Sequence, residues 1–176
     1  YGTFDRIDIQ DSQIDIPGFK GGVAIGGGKY TTDPGNSVIR IANSRVFART
    51  RDRWSTAIGR DIGSSGDGAL RIFIENSTVT AKGGDLRTDG NYVPGIGKKA
   101  LGRAPEIGIQ ILNSTVDSFR LTEKGGTDYV YDDLHIKKLP GIPAENISIC
   151  GSTVNGKTIA HSFDEYGKCT LCGKYD

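Results

Sequence analysis

One eight-residue phrase occurs five times along the chain, and this repeat limits the possible folds more than any other feature of the sequence. Every copy has isoleucine at its first and third positions, serine at its sixth and isoleucine or valine at its eighth. The shared serine stands at positions 12, 44, 77, 114 and 152, so successive copies are 32, 33, 37 and 38 residues apart. Because the phrase is constant and the spacing varies, we expect one structural unit per repeat and loops of variable length between units.

The phrase has the pattern of a half-buried strand followed by a tight turn. Apolar and mostly polar residues alternate over the first four positions, as in a strand with one face in a core. The fifth position, called the corner below, is occupied in order by Asp11, Asn43, Asn76, Asn113 and Gly151. These residue types tolerate a left-handed backbone, so we expect that conformation at every corner. Although Asn76 and Asn113 begin glycosylation sequons, we interpret the asparagines as a hydrogen-bonded ladder inside the fold.

Strands of this kind bury their apolar faces when successive repeats stack at ~4.8 Å. Composition agrees, because 26 of the 176 residues are glycine and isoleucine (20) far outnumbers leucine (8), which excludes a helical bundle. We therefore predict an all-β chain forming a parallel β-helix, or β-solenoid, of about five coils. Two columns of stacked isoleucines should run through it, one starting at Ile7 and the other at Ile9.

A second, weaker phrase lies between copies of the first. It reads Val23-Ala-Ile-Gly-Gly-Gly28, then Thr56-Ala-Ile-Gly-Arg60, and in degraded form Pro94-Gly-Ile-Gly-Lys98. We interpret it as another short wall of each coil with a glycine corner.

Some segments resemble a known group of proteins. Ala24–Gly28, Ile72–Gly84 and the tail His161–Gly173 are similar to the repeats and C-terminal element of large adhesin-like surface proteins of Gram-positive gut bacteria. This resemblance implies a right-handed parallel β-helix. Such helices host adhesins, polysaccharide lyases and glycoside hydrolases alike, so the resemblance leaves function open.

Charge and hydropathy exclude several partners. Lysine and arginine (22) almost balance aspartate and glutamate (21), so we expect no binding to nucleic acid or to an anionic membrane. No apolar run approaches the ~18 residues of a transmembrane segment. Methionine is absent, and we expect the chain to be part of a larger protein that is secreted or displayed on the cell surface.

The C-terminal tail carries the sharpest chemical motif. In Cys169-Thr-Leu-Cys172-Gly173 the spacing is that of a zinc knuckle, in which a tight turn aims backbone amides at two thiolates. His161 and Cys150 complete a Cys₃His set, which would hold a structural zinc ion because four protein ligands leave no open position. A Cys169–Cys172 disulfide, free thiols, and a Cys150 that is merely a small buried residue remain alternatives.

The long spacers between repeats are the predicted place for ligand contacts, since loops on a rigid scaffold commonly carry function. Aromatic rings beside charged groups suit a saccharide, which stacks on the ring and hydrogen-bonds to the charges. The candidate ligand-binding residues are Arg53, Trp54, Tyr92, Tyr129 and Tyr131.

Catalysis has weaker support from the sequence. A glycoside hydrolase needs two carboxylates about 5 to 9.5 Å apart, and the tempting groups are Asp61 with Asp67 and Asp132 with Asp133. The segment 61–68 reads equally well as a turn-rich loop or a weak calcium site.

These observations together predict a β-helix over residues 1–157 and a Cys/His tail over residues 158–176 that caps the last coil. The predicted function is a non-catalytic, extracellular segment of a bacterial surface protein, which binds a glycan or a host-cell ligand through its loops. The alternatives are a carbohydrate-active enzyme, either a glycoside hydrolase or a polysaccharide lyase, and a purely structural stalk.

Overall fold

In the computed structural model, residues 5–19, 22–27, 36–50, 55–60, 69–85, 95–98, 107–121, 127–129 and 147–176 are described. These parts of the chain contain β-strands joined by turns. The strands are β1 Arg6–Gln10, β2 Gln13–Phe19, β3 Ile25–Gly27, β4 Ser37–Ala42, β5 Arg45–Thr50, β6 Ile58–Arg60, β7 Leu70–Glu75, β8 Thr78–Asp85, β9 Ile96–Lys98, β10 Ile107–Leu112, β11 Thr115–Leu121, β12 Thr127–Tyr129, β13 Ile147–Cys150, β14 Ser152–Val154 and β15 Lys157–Ile159.

The first half of each phrase forms a strand of the first sheet. Its order is β1-β4-β7-β10-β13, and every neighbouring pair is parallel. The register aligns equivalent isoleucines across all five strands, which confirms both predicted columns. One column contains Ile7, Ile39, Ile72, Ile109 and Ile147, and the other contains Ile9, Ile41, Ile74, Ile111 and Ile149.

The second half of each phrase forms a second sheet. Strands β2, β5, β8, β11 and β14 pair in parallel, in the order of the repeats. Two further strands make this sheet mixed, because β12 pairs antiparallel with β11 and β15 pairs antiparallel with β14.

The weaker glycine phrase forms a third, three-stranded parallel sheet of β3, β6 and β9. Its glycines Gly26, Gly59 and Gly97 lie opposite one another within the strands, at φ of 134°, 136° and 127°. The phrase forms a short strand as predicted, but the predicted glycine corner is wrong. The glycine lies within the strand itself, where the backbones approach one another closely.

The fold class needs a correction. The all-β class is confirmed, but the expectation of a single right-handed parallel β-helix is wrong: the strands divide into three separate sheets, and the second is mixed. A repeated phrase indicates which strands of successive repeats pair, but it does not determine how the sheets connect or where an antiparallel hairpin joins them. No helix among the described residues is long and apolar enough to span a membrane.

All five corners adopt the expected left-handed backbone. Asp11, Asn43, Asn76 and Asn113 have φ between 47° and 50°, and Gly151 has φ 56°. The asparagine ladder is not internal, however, because these asparagine side chains are exposed.

The internal ladder belongs to the serine that follows each corner. The amide of Ser44 donates to Ser77 Oγ at 3.0 Å, and the Ser44 hydroxyl donates to the carbonyl of Ala42 at 2.7 Å. The same two bonds recur at the next repeats, through Ser77, Ser114 and Ser152. A serine hydroxyl therefore satisfies two buried backbone groups per repeat, one in its own turn and one in the preceding repeat.

The core lies between the three sheets and consists of small and branched apolar side chains. Ile39, Ile41 and Ile72 of the first sheet pack with Val79 of the second and Ile58 of the third, and all five are at most 1% exposed.

Candidate metal centre

Cys150 ends β13, the last strand of the first sheet. It holds the register position of Leu112 in β10 and of Glu75 in β7. Unlike those two residues it is fully buried, with 0% of its surface exposed, because the C-terminal segment covers it. The repeat thus places one thiol at a defined point beside the fifth corner.

A tight hairpin returns the chain towards that corner. Asn155 and Gly156, with φ of 48° and 77°, connect β14 to the antiparallel β15. Two successive positive φ values are those of a type I′ turn, which Asn-Gly favours. The Asn155 side chain also accepts a hydrogen bond from the amide of Ser118 at 2.8 Å, which ties the hairpin to β11.

Residues 164–168 form a turn held by one aspartate. Asp164 Oδ1 accepts hydrogen bonds from the amides of Tyr166 and Lys168, at 3.0 and 2.9 Å. Just outside this turn, Phe163 and Cys169 form an isolated antiparallel bridge. The turn therefore brings His161 and Cys169 to the same end of the segment.

The Cys169–Gly173 stretch has the geometry of the predicted knuckle. The amide of Gly173, at φ 74°, donates to the carbonyl of Cys169 at 2.9 Å, and the amide of Cys169 donates to the carbonyl of Lys174 at 2.6 Å. The positive φ is readily adopted by glycine, which explains the residue after the second cysteine.

Cys150, His161, Cys169 and Cys172 come together as a Cys₃His cluster, which could hold a metal ion such as zinc. Their ligand atoms, three Sγ and the imidazole nitrogen, all lie within 4.8 Å of one another. From Cys150 Sγ the distances are 2.9 Å to His161 Nδ1, 3.1 Å to Cys169 Sγ and 3.3 Å to Cys172 Sγ. A tetrahedral zinc ion with Zn–S bonds of about 2.3 Å keeps its ligand atoms roughly 3.5 to 3.8 Å apart. Small movements would therefore convert this cluster into a tetrahedral site.

The environment affects the thiols differently. Burial raises the pKa of Cys150, and the neighbouring thiols of Cys169 and Cys172 raise it further. Burial also opposes ionisation of Cys169, but hydrogen bonds from the amides of Cys172 and Leu171 and from the Cys150 thiol lower its pKa overall. The thiolate is the form that binds metal, and the hydrogen bonds to Cys169 favour that form.

The four metal candidates are thus the predicted site residues that the structure brings together. The three cysteines are free thiols in it and form no disulfide. The candidate catalytic residues Asp61, Asp67, Asp132 and Asp133 lie outside the described residues, as does the predicted calcium loop. The same holds for Arg53, Trp54, Tyr92 and Tyr131, and only the backbone of Tyr129 is described, in β12.

Two features of this centre were not predicted from the sequence. The Asn155-Gly156 hairpin turns the chain back, and the Asn-Gly pair between two short β-prone segments is itself the signal for it. Gly151 departs from the Asp/Asn found at the four other corners, and this departure coincides with the cysteine-bearing repeat. Together with Cys150, the absence of a side chain at the fifth corner is a sequence signal that another group packs there.

Comparisons with protein-family models, with curated proteins and with solved structures find no match to this chain, so the fold and the Cys₃His geometry are the grounds for assigning its function.

Proposed function

We propose that the chain binds one zinc ion through Cys150, His161, Cys169 and Cys172, and that the ion has a structural role. The observation that carries the proposal is the convergence of four soft ligand atoms, from the last strand of the first sheet and from the C-terminal segment, within 4.8 Å. Three thiolates and one imidazole form a donor set that suits zinc and does not suit calcium or magnesium, which prefer oxygen ligands.

A structural role follows from the number of ligands. Catalytic zinc sites keep a coordination position open for water or substrate, whereas four protein ligands close the tetrahedron. Cys150 and Cys169 are also buried, so their sulfur atoms face the protein interior.

The C-terminal segment needs such a clip because it buries little apolar surface. Phe163 and Leu171 are 38% and 50% exposed, and Tyr166 and Tyr175 are more exposed still. Ordering each residue costs about 1–2 kcal/mol of backbone entropy, which these side chains do little to offset. A zinc ion bound to residues on both sides would supply the missing stabilisation and hold the segment over the last repeat.

Metal content tests the proposal directly. Protein prepared under reducing conditions without chelator should contain about one zinc per chain by elemental analysis, and a Cys172→Ser variant should contain far less. Thr170→Ser is the matched control, because Thr170 is exposed, lies inside the same knuckle and is not a ligand. We expect this variant to keep its zinc.

Hydrogen exchange supplies a second readout. Chelation should remove amide protection from residues 160–176 and leave that of the first sheet unchanged. A metal-free protein whose C-terminal segment is fully protected, or a Cys169–Cys172 disulfide found by mass spectrometry of freshly reduced and purified protein, would contradict a structural zinc.

The wider role stays a prediction. The loop residues and the resemblance predict adhesion or glycan binding at a bacterial surface, and the side chains of those loop residues lie outside the described residues. A glycan array probed with the zinc-loaded protein is the measurement: specific retention would support a binder, and cleavage of the retained glycan would favour the carbohydrate-active enzyme.

A further inference from the structure

The fifth corner differs from the others at the point where the metal centre begins. In the first four repeats the corner carries a side chain on a left-handed backbone, and in the fifth Gly151 has the same backbone without one. The conformation alone does not require this glycine, since Asn113 and Asn76 adopt nearly the same φ. A steric reason is needed.

The imidazole of His161 supplies that reason. A Cβ atom built on Gly151 would overlap His161 Nε2 and would lie 2.6 Å from Cε1 of the same ring. It would also lie 2.8 Å from Asn113 Oδ1 of the preceding repeat. The ring therefore occupies the space that the fifth corner side chain would fill, next to the asparagine of the fourth corner.

This packing sets the orientation of the ring. With its Nε2 edge against Gly151, His161 directs Nδ1 towards the sulfur atoms, at 2.9 Å from Cys150 Sγ and 3.4 Å from Cys172 Sγ. The ring of Phe163 lies beside it, with ring centroids 5.5 Å apart. A histidine ligand needs its second edge fixed so that the correct nitrogen faces the metal.

We propose that Gly151 is a positioning residue of the metal centre: by leaving the fifth corner empty, it admits the His161 imidazole and aims Nδ1 at the three thiols. This inference rests on the proposed zinc function. The proposal explains why the corner that lacks a side chain directly follows the cysteine of the fifth phrase. It also explains how the fifth repeat can accept a histidine as the fourth ligand.

The test variant places asparagine at the fifth corner, because asparagine is the residue found at three of the other corners. Gly151→Asn keeps a residue that tolerates φ 56° but places a side chain where the imidazole lies. We expect zinc affinity, measured by competition with a chromophoric chelator, to fall by about 10- to 100-fold, as for other residues that orient a ligand. In the cobalt-substituted variant, the d–d bands should shift because the imidazole is lost, while the thiolate charge-transfer bands persist.

Gly167→Asn is the matched control. Gly167 has φ 70°, and no atom lies within 4 Å of a Cβ built there, so the same substitution meets no neighbour. We expect the affinity and the cobalt spectrum of the unsubstituted protein. Equal affinity and an unchanged cobalt spectrum in Gly151→Asn would overturn the positioning role while leaving the zinc proposal intact. A parent protein that binds no zinc would instead overturn the proposed function.

A double-variant cycle covers the case in which Gly151→Asn does not fold. If Gly151 matters because it makes room for His161, then Gly151→Asn should have little further effect on stability in a His161→Ala background. Restored folding in that double variant supports the proposal. Failure of the double variant to fold, while His161→Ala alone folds, would show that Gly151 serves the corner itself and would overturn it.

Discussion

Replacing Gly59 by alanine should lower the free energy of unfolding by more than about 4 kcal/mol, or prevent folding altogether, because strain and overlap act at one buried position. Gly59 has φ 136°, which side-chain-bearing residues rarely adopt. An alanine Cβ would overlap the carbonyl oxygen of Gly97 and lie 2.8 Å from its carbon. The obstacle is backbone of the neighbouring strand, so no side-chain rotation can relieve it.

Gly167→Ala is the comparison that separates overlap from backbone conformation. Gly167 also has positive φ, 70°, but an added Cβ meets no atom within 4 Å. Its alanine variant should lose only the cost of a left-handed backbone, about 1–2 kcal/mol. Urea denaturation of both variants measures the difference. Similar midpoints for the two alanine variants would mean that the third sheet adapts and that its glycines are not required.

The repeat phrase predicted the pairing of strands with success, and the reason is physical. A strand with one buried face has its register fixed, because a slip by one residue would turn every isoleucine to solvent. Five copies of the same alternation therefore align position by position, as Ile41, Ile74 and Ile111 do. The left-handed backbone at the corners could be predicted equally well, since Asp, Asn and Gly all tolerate positive φ.

The partition of the strands into sheets could not be predicted in the same way. It depends on how far the chain turns at each corner and on which segments fold back, and neither is encoded in the phrase. The antiparallel strand β15 exists because Asn155 and Gly156 form a hairpin turn, which is a local signal outside the repeat. This strand is not part of the repeated phrase, so the phrase could not predict it.

The hydrogen-bonded ladder between repeats shows a different limit of prediction from sequence. Asparagine and serine are both present at every inner repeat, and either could bond along the stack. In the structure Ser77 is buried and bonds the backbone of two repeats, while Asn76 is exposed and contacts Asn43 at 3.3 Å. The choice depends on which side of the turn faces the core, and composition does not reveal this.

The metal cluster could be predicted from the sequence because metal ligands are recognised by residue type and spacing. A C-x-x-C-G knuckle is short and local, and its amides lie as expected against Cys169. His161 and Cys150 follow because a structural zinc needs two ligands beyond the two cysteines of the knuckle. The role of Gly151 required coordinates, since only they reveal that the imidazole takes the place of a corner side chain.

Truncating Ile72 to alanine should lower the free energy of unfolding by about 2–5 kcal/mol. Ile72 lies in the middle strand of the first sheet, is 0% exposed, and aligns with Ile39 on one side and Ile109 on the other. Its loss removes apolar burial and leaves a cavity between two ordered neighbours, which rigid strand pairing prevents from closing. Chemical denaturation followed by circular dichroism measures the change.

Ile7→Ala is the matched control in the same column, because the substitution is identical and only the position in the stack differs. Ile7 lies in the first strand of the sheet and is partly exposed, so its truncation leaves an open notch and should cost less, about 1–2 kcal/mol. If the two variants lose the same stability, the isoleucine column does not act as a continuous buried core. A clear excess for Ile72 would show that each repeat is stabilised by its two neighbours, as stacking in register requires.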